Sequence, residues 1–120
     1  VNAQNQFNQN NILKAEEVFI LNAHLIDNVI NASWQIAAEH YLYKDSIRVS
    51  INNEAIAHEF ILLDESVIND EFFGESLVLQ NTLVVRAVYN STNLQNAIIT
   101  IEYQGCAAGK YCYPKQQQNI

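Results

Sequence analysis

Tyr41-Leu42-Tyr43-Lys44-Asp45-Ser46-Ile47-Arg48-Val49-Ser50-Ile51 changes character at every second residue. Its odd positions carry Tyr41, Tyr43, Asp45, Ile47, Val49 and Ile51, and the even positions after Leu42 carry Lys44, Ser46, Arg48 and Ser50. A period of two with one apolar and one polar side is the signature of a half-buried strand, because successive side chains leave a strand on opposite faces. The same alternation runs through Ile30, Ala32, Trp34 and Ile36 against Asn31, Ser33 and Gln35, and again through Ala97, Ile99, Ile101 and Tyr103. Shorter runs at Val18–Leu21, Phe60–Leu63, Leu77–Leu79 and Leu83–Tyr89 are rich in branched and aromatic residues and read as further strands.

Polar clusters separate these runs: Asp27-Asn28, Asn52-Asn53-Glu54, Asp64-Glu65-Ser66 and Asn90-Ser91-Thr92-Asn93. Strand signals recur roughly every 8–15 residues, too closely for βαβ crossovers, so the fold class is all-β and the natural architecture an immunoglobulin-like β-sandwich. Ala15–Leu21 and Ile36–His40 have room for a helical turn only.

The chain has 120 residues, 49% of them hydrophobic and 16% charged, enough apolar material for one core and too little charge for disorder. A net charge of −7 opposes binding to nucleic acid or to an anionic membrane surface, both of which call for a basic face. No apolar run approaches the ~18 residues that would span a membrane. Residues 1–11, mostly Asn and Gln, read as a tail, residues 12–114 as the domain, and residues 115–120, with three successive glutamines, as a linker toward the rest of a polypeptide. The absence of methionine, even at position 1, points to a segment excised from a longer protein.

The two cysteines lie six positions apart in Tyr103-Gln104-Gly105-Cys106-Ala107-Ala108-Gly109-Lys110-Tyr111-Cys112-Tyr113-Pro114. Both follow Trp34, so they are not the inter-sheet staple of an antibody domain, whose cysteines flank the core Trp. Gly105 and Gly109 permit a tight turn, and a hairpin with the cysteines facing each other near its tip brings them within disulfide range. Two cysteines are too few for a zinc ribbon, and His24, His40 and His58 show no ligand spacing, so no metal and no cofactor is expected. A structural bridge and a redox pair both remain open on these residues. The bridge would contribute only about 2.4 kcal/mol through so short a loop, which weakens the structural reading. Lys110 between the cysteines would favour a thiolate, and nearby carboxylates would oppose it.

Three stretches together carry a family likeness. Tyr103-Gln104-Gly105-Cys106-Ala107 with Cys112-Tyr113-Pro114 resembles the redox segment of the N-terminal periplasmic domain of DsbD, a bacterial thiol–disulfide reductant conductor. His40-Tyr41-Leu42-Tyr43-Lys44-Asp45, just after Trp34-Gln35-Ile36, resembles its Tyr-Leu-Tyr strand, and Asp70-Glu71-Phe72-Phe73-Gly74 resembles its Asp-Glu-Phe-aromatic-Gly loop. The motifs occur in family order over about 80 residues. Lys115 stands where the family often has a second proline, and His40 where a glycine is common.

The resemblance implies an immunoglobulin-like fold and a protein-disulfide reductase activity through Cys106 and Cys112. It implies that electrons arrive from a thioredoxin-like C-terminal domain of the same polypeptide. They leave to periplasmic thioredoxin-like proteins, among them disulfide isomerases and the cytochrome c maturation reductant. The location implied is a periplasmic domain, not itself membrane-embedded, of a bacterial inner-membrane protein. By position, Cys112 would form the mixed disulfide, Cys106 would resolve it, and Phe72 would cap the pair. Asp70, Glu71, Phe73, Tyr41 and Tyr43 would surround it. The competing reading is a secreted immunoglobulin-like binding module with a structural hairpin disulfide, for which Asn31-Ala32-Ser33 and Asn90-Ser91-Thr92 would be glycosylation acceptors.

Overall fold

The computed structural model describes residues 12–90 and 95–120. The tail expected over 1–11 and most of the polar cluster at 90–93, with its acceptor motif, lie outside the described residues. A four-residue helix, α1 (Ala15–Val18), leads into β1 (Phe19–Ile26). There follow β2 (Val29–Ile36), β3 (His40–Tyr43), a single 3₁₀ turn at Lys44–Ser46, β4 (Arg48–Ile51) and β5 (Glu54–Ile56). Two long strands, β6 (Glu59–Asp70) and β7 (Gly74–Val88), form the largest hairpin. The chain closes with β8 (Ile99–Tyr103), β9 (Gly105–Ala107), β10 (Tyr111–Cys112) and β11 (Gln116–Asn119).

Two sheets result. One runs β1-β2-β7-β3-β9-β10 with β6 added to β7, and the other runs β11-β8-β4-β5. The expected all-β, immunoglobulin-like sandwich is the fold observed. Trp34 from β2 is wholly buried and meets Tyr103 of the opposite sheet edge to face, with centroids 5.6 Å apart. Ile30, Ala32, Leu83 and Val85 on one side, with Val49 and Ile101 on the other, complete this core. Burial along β2 alternates as the sequence pattern requires. Two of the polar clusters are tight turns: Asp27-Asn28 and Asn52-Asn53 each have two successive residues with positive φ. That is the backbone of the two-residue hairpins that close β1–β2 and β4–β5, and Asn and Asp tolerate it best among side-chain-bearing residues.

Three expectations are corrected. Tyr41–Ile51 is not one strand but two, in different sheets, joined by the Lys44–Ser46 turn. Ser46 causes the break. Its hydroxyl bonds to the Tyr43 carbonyl at 2.7 Å and accepts the Gln104 amide at 2.9 Å, in place of a strand ladder. The Asp64-Glu65-Ser66 cluster does not end a strand, since it lies inside β6 beside a register shift between Leu62 and Asp64. Finally, 115–120 is not a free linker. Gln116–Asn119 pair with Tyr103–Thr100 at the edge of the second sheet, and Thr100 donates to the Asn119 side chain at 2.9 Å. Strand pairing uses backbone groups, so an amide-rich segment beside an open edge can take it up.

Candidate active site

The cysteines sit where three strands meet. Cys106 on β9 faces Cys112 on β10 and also Tyr41 on β3 in the sheet register. The β9–β10 hairpin turns at Gly109, whose φ of +71° is left-handed, and Lys110 donates its amide to the Ala107 carbonyl at 3.0 Å. Gly109 is therefore the turn glycine expected, whereas Gly105 serves a different end. A Cβ there would lie 2.2 Å from the Tyr41 carbonyl oxygen, so Gly105 lets β9 approach β3 closely. That approach sets Cys106 against the two tyrosines.

Cys106 and Cys112 are joined in a disulfide. Cys106 has no solvent exposure, while Cys112 is half-buried. They occupy a small cluster of their own, with Tyr41, Tyr43, Val78 and Ile68, distinct from the Trp34 core. Val78 and Ile68 are wall residues that the sequence reading did not single out. Val78 falls in the apolar run Leu77–Leu79, whereas Ile68 lies in none of the runs read as strands.

Asp70 ends β6 and is 4% exposed, a buried carboxylate rather than a solvated turn acid. Its two oxygens face different neighbours. Oδ2 accepts the hydroxyls of Tyr41 and Tyr43, the latter at 2.7 Å. Oδ1 accepts the backbone amides of Phe72 at 2.6 Å and Phe73 at 3.0 Å, forming the turn that links β6 to β7. Burial alone would raise the Asp70 pKa, but the two phenols and two amides stabilise the charged form more strongly and hold it below the ordinary range. The phenols respond in the opposite sense. Burial and the bond to Asp70 push Tyr41 up to about 12 and Tyr43 higher still, so both stay protonated.

The Tyr43 hydroxyl lies 3.0 Å from Cys106 Sγ and 3.5 Å from Cys112 Sγ. It thus links the carboxylate to both sulfurs. The Phe73 ring stands edge-on to Tyr43 at 5.1 Å but remains 64% exposed, so it is not a core residue. Phe72 is 46% exposed, and Glu71 and Lys110 are exposed. Gly74, with φ +77°, closes the turn. Beside the turn lies an open cleft of about 560 Å³, lined by the apolar Val67, Phe73 and Leu77 together with Asp45 and Glu75. All eight site residues named from sequence lie in or beside this arrangement, and the tyrosines, Asp70 and the cysteines are in direct contact. Among the described residues no group of three or more His, Cys, Asp or Glu side chains could hold a metal ion. His24, His40 and His58 stand apart on β1, on β3 and ahead of β6.

Comparison with known proteins agrees with this geometry. Residues 9–120 match the family model described as thiol:disulfide interchange protein DsbD, N-terminal. The DsbD of Vibrio cholerae serotype O1 is 32% identical over 115 residues, covering 93% of this chain and 18% of its own length. The DsbD of Escherichia coli K12 is 30% identical over 107 residues, covering 88% of this chain and 18% of its own length. The chain therefore spans about a fifth of such relatives. The reduced N-terminal domain of Neisseria meningitidis DsbD superposes with a TM-score of 0.80 at 25% identity, over 100% of this chain and 91% of that one. The same organism's DsbD N-terminal domain in complex with the PilB N-terminal domain gives a TM-score of 0.66 at 24% identity, over 92% and 88% of the two chains. With its paired cysteines on the β9–β10 hairpin and the match running across nearly all of its length, the chain belongs to the N-terminal domain family of the thiol:disulfide interchange protein DsbD.

Proposed function

We propose that this domain is a periplasmic protein-disulfide reductase module that carries electrons between thioredoxin-like proteins. It accepts them from the thioredoxin-like C-terminal domain of its own polypeptide. It passes them to periplasmic partners of the same type, including disulfide isomerases and the cytochrome c maturation reductant. The observation that carries the reading is the unequal burial of the two sulfurs: a partner can approach Cys112, while Cys106 is fully enclosed. Exchange requires a thiolate to reach one disulfide sulfur in line with the other.

A donor thiolate attacks Cys112 Sγ, the Cys106–Cys112 bond breaks, and Cys106 leaves as a thiolate that takes up a proton. The donor's second thiolate then attacks the mixed disulfide, forming the donor disulfide and releasing Cys112 as a thiolate, which is protonated in turn. Two electrons and two protons have moved to the domain. Delivery reverses the sequence, with Cys112 attacking the acceptor disulfide and Cys106 resolving it. Tyr43, 3.0 Å from Cys106 Sγ, is the nearest hydroxyl to stabilise the buried leaving thiolate. Phe72 caps the pair until a partner docks, and the charges of Asp70 and Glu71 oppose premature thiolate formation.

The family match, and the complex that the Neisseria meningitidis DsbD N-terminal domain forms with the PilB N-terminal domain, support a partner-exchange role. Among the described residues no helix is long and apolar enough to cross a membrane. The test is trapping. Cys106→Ala should accumulate a mixed disulfide through Cys112 by attack on the disulfide of an oxidised thioredoxin-like partner, whose second cysteine leaves as a thiolate, and Cys112→Ala should form none. Full electron transfer by Cys112→Ala would overturn the assignment. The measured potential bears on the structural-bridge alternative, which calls for a value below about −300 mV.

A further inference from the structure

Nothing in the exchange chemistry requires Asp70 to face the turn as well as the tyrosines, yet it does both. Oδ1 accepts two successive amides of the turn, and Oδ2 accepts two phenols of β3. One of these phenols, Tyr43, in turn touches both sulfurs. The side chain is buried, so these are its partners in place of water. The pairing of Asp70 with Gly74 closes the base of the turn, and beyond it Glu71, Phe72 and Phe73 are all exposed, with the ring of Phe73 resting on Tyr43 itself.

We infer that Asp70 is a positioning residue, a latch that ties the Glu71–Phe73 turn to the tyrosine pair and so holds the cap over the disulfide. This rests on the cap role proposed for Phe72 and adds the device that sets the cap's position. Lifting the turn must break the two amide bonds to Oδ1 or draw Asp70 away from both phenols. The second route removes the Tyr43 partner on one side and frees its proton for the sulfur on the other. Docking or a change in the redox pair thereby reaches the turn through a single carboxylate. The titratable groups facing Asp70 are Tyr41 and Tyr43 from β3 and Glu71 from the turn. Both tyrosines remain neutral in the working range, and the charge of Glu71 acts on Tyr41 in the same sense as that of Asp70.

The test combines substitutions with one measurement on the parent domain. Asp70→Ala removes both halves of the latch. Asp70→Asn keeps a carbonyl oxygen for the two amides and turns an amino group toward the phenols. Hydrogen exchange at the Phe72 and Phe73 amides, and alkylation of Cys112 in the reduced domain, are read for each variant and for Phe72→Ala. The latch predicts that Asp70→Ala speeds both readouts by roughly tenfold or more, that Asp70→Asn restores amide protection, and that Phe72→Ala speeds alkylation alone. If Phe72→Ala speeds alkylation while Asp70→Ala changes nothing, the latch is wrong and the cap stands. If neither changes alkylation, the cap itself fails and the latch with it. In the unsubstituted domain, which needs no variant to fold, the Phe72 and Phe73 amide proton shifts should titrate together with the Asp70 carboxyl carbon. Amides that ignore the carboxyl overturn the inference.

Discussion

Tyr43→Phe removes one oxygen from the most heavily bonded point of the site and leaves the ring that Phe73 packs against. The hydroxyl is buried and donates to a charged carboxylate at 2.7 Å, so the charge-assisted range applies and the variant should lose about 1.5–3 kcal/mol at neutral pH. The loss should depend on pH in a definite direction. Asp70 has a folded-state pKa below the ordinary carboxylate range, so its contribution is fully present above the unfolded pKa and disappears as pH falls through the folded one. Without Tyr43, one of the two phenols that lower this pKa is gone. The folded value moves up toward the ordinary carboxylate range, and the stability gap between parent and variant narrows as pH falls through the variant's folded pKa. Once the carboxyl is protonated in both proteins, only a neutral hydrogen bond separates them, about 0.5–1.5 kcal/mol. Urea unfolding of the oxidised proteins at several pH values measures the gap directly. A gap that stays constant from neutral pH to about pH 2, or no gap at all, would refute the bonding scheme for Asp70. The same substitution takes away the hydroxyl nearest the Cys106 leaving group. That hydroxyl has one proton, bonded to Asp70 in the disulfide form, so it stabilises the leaving thiolate only as the bond to Asp70 is given up, and its loss slows reduction by a thioredoxin-like donor by less than a whole charge-assisted bond would.

Phe72→Ala should leave the unfolding free energy within a few tenths of a kcal/mol of the parent, since the residue is half exposed, while alkylation of the reduced thiols accelerates. Unchanged alkylation rates would remove the cap. Gly105→Ala drives a Cβ to within 2.2 Å of the Tyr41 carbonyl oxygen and 2.8 Å of the Phe19 ring. Because the first obstacle is backbone, β3 and β9 must part, at about 1–3 kcal/mol or more by chemical denaturation, and a neutral result would show that the strands are not packed this closely. Deleting residues 116–120 uncovers the edge of β8 and should lower the melting temperature by several degrees, whereas a true linker could be removed without effect.

How much of this was legible depended on how far apart the deciding partners lie. The β2 pattern around Trp34 was readable because one strand faces one core throughout. In Tyr41–Ile51 the alternation continues across a change of sheet, but its odd positions face two different places: Tyr41 and Tyr43 line the sulfur cluster, whereas Ile47, Val49 and Ile51 enter the Trp34 core. The break itself is made by Ser46 and by Gln104, 58 residues away. The cysteine hairpin was readable locally, and so was its turn at Gly109. The task of Gly105 was not, because it is set by the backbone of β3. Burial of Asp70 was equally hidden. In sequence it stands between Asn69 and Glu71, and only the tyrosines from β3, 27 and 29 positions earlier, make it an interior carboxylate. The tyrosines and the acid were assigned to one site through the family motifs, and no local pattern would have joined them.

The separation of the sulfur cluster from the Trp34 core bears on how the domain can cycle. Breaking a bridge between cysteines six positions apart forfeits only about 2.4 kcal/mol of loop constraint, a fraction of the ~5–15 kcal/mol typical of a domain. The residues around it, Tyr41, Tyr43, Val78 and Ile68, belong to strands whose other ends are held elsewhere: β7 by β2, and β3 by the crossover at Ser46. Opening the disulfide therefore changes the contents of a satellite cluster and leaves both sheets paired. A staple between the sheets would have tied redox state to the integrity of the sandwich. On a hairpin at its margin, the pair can be reduced and reoxidised while the scaffold keeps Asp70, the tyrosines and the turn in register.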